Sequence, residues 1–400
     1  MRTQLTPRRR RAVLAVAIGA IALDTALLGL IAPLLPDIES RIGATDAELG
    51  LALGAYALPI IVVSLPLGRL ADIVGRRPLL LGGMLLTVAG SLLIAFADSL
   101  PVLVSGRAVQ GVGSAASWIA ALALVSELAP PGRKGEAIGF ALAANSVGAI
   151  AGPALGGILG DAAGFEFPFL LVAGIGAAIA LVGALVLPRE RRGHQQAPTP
   201  ARKLFALAVS GPVLPATAIV IVGSAALGLV EVVAPLDADE RLGLSAATIG
   251  AVFASTIALD AIAAPLGGRA SDRHGRLAVS VAGVVIVTAS MGLLAVLGGT
   301  AGFVVGLAVY GTGSSILFAA AVPWLDDAFG AVARGFGYGF LNLIYSLGAT
   351  VGPIAGGVAL DVSGPGFAYA LQAAALIAVA GLALSRRAVV SAAKPTPGGA

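Results

Sequence analysis

Four charged side chains stand inside long apolar runs. Asp24 lies between AVLAVAIGAIAL and TALLGLIAPLLP, Glu231 between IVIVGSAALGLV and VVAPL, Asp260 between AVFASTIAL and AIAAPLGG, and Arg107 between LPVLVSG and AVQGVGSAAS. A charge at the centre of a bilayer costs roughly 2.5–3.5 kcal/mol on insertion scales, so each needs a reason to be there. For a carboxylate the functional reason is binding a cation or exchanging a proton. The structural alternative is permanent pairing, for which Arg107 is the obvious partner. Arg107 also opens a polar stripe with Gln110, Ser114 and Ser117, spaced to share one helical face. Tyr338, Asn342 and Tyr345 form a second stripe, whose aromatic faces suit an organic cation.

The elements that must carry these residues follow from composition. Hydrophobic residues make up 58% of the 400 and charged residues 12%, about half the charged share of a soluble domain. Apolar runs long enough to span a hydrocarbon core of about 30 Å as helices recur throughout, at 12–34, 48–67, 79–96, 102–126, 136–159, 167–187, 213–235, 247–266, 278–297, 302–325, 336–360 and 367–385. Lipid offers the backbone no hydrogen bonds, so the expected fold is all-α: twelve transmembrane helices in a bundle. There is no cysteine, and the two histidines, His194 and His274, fall in expected loops, which argues against a metal site. Phosphate loops, nucleophile elbows and His–Glu metal spacings are absent, and no enzyme is expected. All but Arg41, Arg107 and Arg241 of the 25 Lys and Arg fall in the termini or on one side of the bundle. That bias predicts both termini in the cytoplasm of an inner (plasma) membrane protein, and makes the net charge of +4 a topology signal instead of a nucleic-acid patch.

The chain repeats itself at an interval of 200 residues. GRLADIVGR from Gly68 returns as GRASDRHGR from Gly268, and GAIAGPALGG from Gly148 returns as GATVGPIAGG from Gly348. The expected organisation is a six-helix bundle over 1–188, a basic cytoplasmic linker over 189–212, a second six-helix bundle over 213–385 and a tail over 386–400. Two related halves suit a rocking carrier with its site between them.

The loop GRLADIVGRR, the stretch RAVQGVGSAAS and the stretch GAIAGPALGG, in this order and spacing, resemble the major facilitator superfamily and its drug:proton antiporter branch over nearly the whole chain. LDTALLGLIAPLLP and LVEVVAPL are similar to the vesicular amine transporters and their bacterial relatives. The resemblance implies the two-bundle fold, a monomer, no cofactor and a proton gradient as the driving force. It assigns gating to Gly68, Asp72 and Arg76, with Asp272 and Arg276 as a weaker copy, and to Gly148, Gly152 and Pro153. Gly68 and Gly75 are expected to form a tight turn that holds Asp72 and Arg76. For the glycine stretch, plain helix packing is an equal alternative. Gapless counting places a further family aspartate at Asp327, beside Asp326 at a helix end, and Glu127 reads as a solvated end charge. The family's eleventh-helix aspartate falls on Asn342 and its second-helix lysine on Tyr56, so a pair is lost together, while Asp260 is an additional acid.

These residues give a site expectation of Asp24, Arg107, Gln110, Glu231, Asp260, Asp327, Asn342 and Tyr345, with Trp118 and Trp324 as further pocket-wall candidates. The expected function is proton-coupled export of lipophilic, cationic organic compounds, in which proton and substrate compete for the same carboxylates by reciprocal linkage. Two alternatives stay open. Uptake of a small nutrient predicts accumulation in cells, and a non-transporting receptor or scaffold predicts a sizeable soluble domain.

Overall fold

The computed structural model describes residues 6–129, 134–188, 213–329 and 334–386, and among them every regular element is a helix. The chain order is α1 (Pro7–Leu30), a 3-10 turn (Ala32–Leu34), α2 (Leu35–Ile42), α3 (Asp46–Val74), α4 (Arg76–Ala95), α5 (Leu100–Leu128), α6 (Lys134–Ala163) and α7 (Glu166–Val186). There follow α8 (Leu214–Leu242), α9 (Ala246–His274), α10 (Arg276–Val296), α11 (Gly299–Phe329) and α12 (Arg334–Ser385). The expected linker 189–212 and residues 387–400 of the expected tail lie outside the described residues.

Among the described residues, eleven helical stretches are long and apolar enough to cross a membrane. The last, Phe340–Ser385, has 46 residues, about 69 Å of helix against a core of about 30 Å. It is broken at Ser363 and Gly364, where the backbone leaves the helical region. The break divides it into two spans and brings the total to twelve. Leu58, Val62, Leu185, Val296 and Ile377 stand outward, as side chains that meet lipid do.

The duplication is written into the backbone. Glycines with left-handed φ pair at the same interval: Gly43 and Gly243, Gly75 and Gly275, Gly164 and Gly364. One correction follows. Gly68 is not part of a turn, because α3 runs on to Val74 and the chain breaks at Gly75 alone (φ 91°). Asp72 therefore sits in the last helical turn; α3, at 29 residues, is about 44 Å long and outreaches the hydrocarbon core. Gly268, Asp272 and Gly275 repeat this arrangement. The side chains of Asp72 and Tyr338 lie outside the description.

One face of the bundle carries Arg8 to Arg11, Arg76 and Arg276, and is called here the basic side. The opposite, acidic side carries Asp37, Glu39, Asp161, Asp239, Glu240 and Asp361. Buried apolar side chains fall into two cores. One is continuous across the halves and includes Leu30, Ile31, Leu34 and Leu35 from the first with Leu229, Val230, Val233 and Leu236 from the second, towards the acidic side. The other belongs to the first half alone, at the basic ends of its helices: Val13, Ala17, Leu80, Met84, Leu124 and Leu128.

Candidate functional site

Helix α1 buries one stripe, Ala17, Ala20, Ile21, Asp24 and Leu27, so the period that packs the helix also turns Asp24 inward. Asp24 is buried, and its Oδ2 accepts from Ser114 Oγ on α5 at 2.7 Å. Ser114 Oγ in turn accepts from the Tyr56 hydroxyl on α3 at 2.7 Å. The other carboxylate oxygen, Oδ1, is buried with no hydrogen-bond partner among the described residues. No ion pair reaches Asp24 among those residues either, so the expected structural alternative of pairing with Arg107 is not realised.

Arg107 is buried, at 1% exposure, which rules out an arginine reaching along α5 to the surface. Its Nη1 donates to Gln110 Oε1 at 3.0 Å, and Gln110 Nε2 donates to Ser91 Oγ on α4 at 3.1 Å. The guanidinium lies over the Tyr56 ring, 4.6 Å from the centroid. Tyr56 thus separates the cation from the carboxylate, with its face against Arg107 and its hydroxyl committed towards Asp24. Gly111 makes this possible, since a methyl group there would collide with the Tyr56 carbonyl. The second half repeats the approach, with Gly311 against the Thr256 carbonyl. One turn beyond, Ser315 Oγ donates to the Asp260 carbonyl at 2.7 Å.

Glu231 on α8 faces this group from the other half, within electrostatic reach of Arg107, Tyr310 and Tyr345. Tyr310 and Tyr345 also lie near Asp260, and Tyr345 lies near Tyr56 across the halves. The Tyr345 ring meets Phe318 with centroids 6.0 Å apart. The structure therefore gathers Asp24, Arg107, Gln110, Glu231, Asp260 and Tyr345 between the halves. Asn342 is exposed, and its Nδ2 donates to Ser64 Oγ of the opposite half at 3.2 Å. Trp324 is buried in the shared core, and Trp118 packs on the core of the first half.

Asp327 is elsewhere, exposed on the basic side, with Oδ2 accepting from Arg276 Nε at 3.1 Å. Arg276 also pairs with Asp272 at 2.7 Å. The first half has the same arrangement: Arg76 pairs with Glu127 at 2.7 Å, so Glu127 is not merely solvated. Gly148 and Gly152 face the carbonyls of Ala22 and Ala26 on α1, where a Cβ would overlap backbone. Pro153 points both ways, its ring against Gly29 and its carbonyl against Gly250 of the second half.

Sequence reasoning missed Tyr56 as a site residue, treating it as a lost lysine, and missed Tyr310. The signal for Tyr310 was available, since it occupies the position 200 residues after Gln110 in the polar stripe.

Twelve spans in two related halves, with charged and aromatic side chains converging between them, define a membrane carrier. The major facilitator superfamily profile matches residues 14–236 and 216–399, and the chain belongs to that family of transporters, which are not enzymes. It is similar to the multidrug resistance protein MdtH of Aeromonas hydrophila, 30% identical over 80% of each chain. It is similar also to the MFS-type transporter SLC18B1 of Mus musculus, 24% identical over 92% of this chain and 85% of that one. Other curated carriers match more locally, and the chain spans only 27–39% of their length. Among solved structures, a bacterial homologue of the human lysosomal transporter Spinster, inward-facing and unoccupied, has the same fold. The TM-score is 0.82 at 16% identity, over 98% of this chain and all of that one.

Proposed function

We propose that the chain is a proton-coupled antiporter that exports lipophilic, cationic organic compounds by alternating access. In this reading it works as a monomer in the plasma membrane, with both termini in the cytoplasm, its halves 1–188 and 213–385 joined by the linker 189–212. The supporting observation is the state of Asp24: a buried carboxylate held by a serine hydroxyl, with one oxygen bare and no cation paired to it. A permanent ion pair would leave nothing to exchange. A carboxylate held only by Ser114 can take up a proton or receive a cationic substrate, and either neutralises the charge at its costly depth. The tyrosine faces of Tyr56, Tyr310 and Tyr345 supply apolar, cation-attracting walls. Arg107 stands behind Tyr56 and competes with substrate for Glu231 from the opposite half, so binding of one weakens the hold of the other. The Aeromonas relative, a multidrug resistance protein, favours the same substrate class.

The test is transport in proteoliposomes with an imposed pH gradient, against a panel of organic cations, neutral compounds and anions. Cationic compounds should discharge the gradient, with Asp24→Asn and Glu231→Gln abolishing the discharge. Unchanged transport in both variants would remove the assignment. Substrate movement in the same direction as protons would replace export with proton-coupled uptake.

A further inference from the structure

Two aspartates outside the central site reach across the boundary between the halves. Asp361, at the acidic end of the first span of α12, takes the Asp46 N–H on Oδ1 and the Ala47 N–H on Oδ2, each at 3.1 Å. Asp161, at the acidic end of α6, takes the Ala247 N–H on Oδ2 at 3.0 Å. Asp46 and Ala47 open α3, and Ala246 and Ala247 open α9. Each half thus sends a carboxylate onto the N-terminus of a helix in the other half, and the two contacts are equivalent at the 200-residue interval.

A helix start has free N–H groups and a partial positive charge, and is usually capped by a local side chain. Both helices already have local caps. Thr45 Oγ1 takes the Glu48 N–H while Glu48 Oε2 takes the Thr45 N–H, and Ser245 Oγ takes the Thr248 N–H. The cross-boundary carboxylates serve the first N–H groups, which the local caps leave over. They are therefore not needed for α3 or α9 to form, and they exist only while the halves meet on the acidic side.

The meeting itself is built on glycine. A Cβ on Gly157 would overlap the Ala246 backbone, and one on Gly357 would overlap that of Asp46. Gly50 and Gly250 lie as close to the carbonyls of Pro353 and Pro153. Asp161 and Asp361 follow Gly157 and Gly357 by four residues, one helical turn, so carboxylate and close contact share a face.

We infer that Asp161 and Asp361 form a paired latch that each half closes onto the other, biasing the carrier towards the state sealed on the acidic side. They are positioning residues for the transport cycle, and the inference is independent of substrate and of proton coupling. Opening the acidic side breaks both latches at once and hands their carboxylates and N–H groups to water.

The chain has no cysteine, so a single introduced one gives a clean accessibility probe. Leu53→Cys lies buried in the core shared by the halves, and Ser64→Cys lies between them on the far stretch of α3, beside Asn342. Each would be treated with a membrane-impermeant maleimide from its own face of the membrane. Both carboxylates are exposed, so each latch sits at the weak end of capping effects. Asp161→Ala or Asp361→Ala should speed Leu53→Cys labelling about threefold, and the double variant about tenfold. Ser64→Cys labelling should slow in the same variants. The Asn variants, which keep an acceptor and lose the charge, should fall between and serve if an Ala variant fails to fold. Faster labelling at both probes would mean general loosening, and unchanged labelling at both would mean the contacts carry no bias. Either result overturns the latch.

Discussion

The chain Tyr56–Ser114–Asp24 makes a signed prediction about stability. Phe at position 56 removes one buried hydrogen bond while Ser114 keeps donating to Asp24, and should cost about 1 kcal/mol. Ala at 114 strands two buried groups, the Asp24 carboxylate oxygen and the Tyr56 hydroxyl, and should cost about 3 kcal/mol. In the Ser114→Ala background the Tyr56 hydroxyl has already lost its acceptor, so Tyr56→Phe should become neutral or stabilising by about 1 kcal/mol. The coupling between the positions is then about 1–2 kcal/mol. Phe preserves the ring under Arg107, so the cation–π contact does not confound the cycle, whereas Tyr56→Leu should lose about a further 2 kcal/mol. The assay is unfolding in mixed micelles, followed by reaction of an introduced buried cysteine with a fluorogenic maleimide. Additive effects of the two substitutions, with Tyr56→Phe costing the same in both backgrounds, would show that the hydroxyl relay does not hold Asp24.

Three further outcomes follow from the same geometry. Gly152→Val would drive a branched side chain into the Ala26 carbonyl and should abolish a monodisperse peak on size-exclusion chromatography, while Gly82→Ala, with nothing within 4 Å, should leave the profile intact. Arg107→Lys keeps the charge but loses the planar contacts to Tyr56 and Gln110, so transport in proteoliposomes should fall at least about tenfold, with the protein still folded. Arg276→Gln breaks ion pairs between exposed or half-exposed partners and should shift stability by under about 1 kcal/mol. Arg241→Gln strands the buried Asp237 carboxylate and should cost about 2 kcal/mol after allowance for the exposed arginine, giving a clearly larger fall in melting temperature.

The spans were legible in the sequence because a hydrocarbon solvent leaves apolar length as the dominant signal, and the repeat was legible because glycine positions recur where turns and close approaches recur. The inward faces of α1 and α5 were legible too, since Asp24 and the Arg107 stripe follow helical spacing. Partners lay beyond reach. That Asp24 is held by Ser114 and not by Arg107 depends on α3 threading Tyr56 between them, a contact permitted by Gly111 on α5, the helix that carries both Ser114 and Arg107. Asp327 was placed by counting along the chain, but its surroundings are set by Arg276, 51 residues earlier. Gly68 read as a turn residue because the charged stretch around it resembles a loop, whereas a helix longer than the membrane is thick continues through such charges.

The two cores divide labour unequally between the halves. Among the described residues, the first half keeps a private set of interlocked side chains around Ala17, Leu80 and Leu124, with no member from its partner. Among the described residues, the clustered buried side chains of the second half, as far as Leu376, Val379 and Ala383, join the same body of packing that crosses the boundary. In the proposed rocking motion the first half keeps this private packing, whereas helices α8 to α12 must exchange packing partners at the boundary, so heat should register first as altered mobility in α8 to α12.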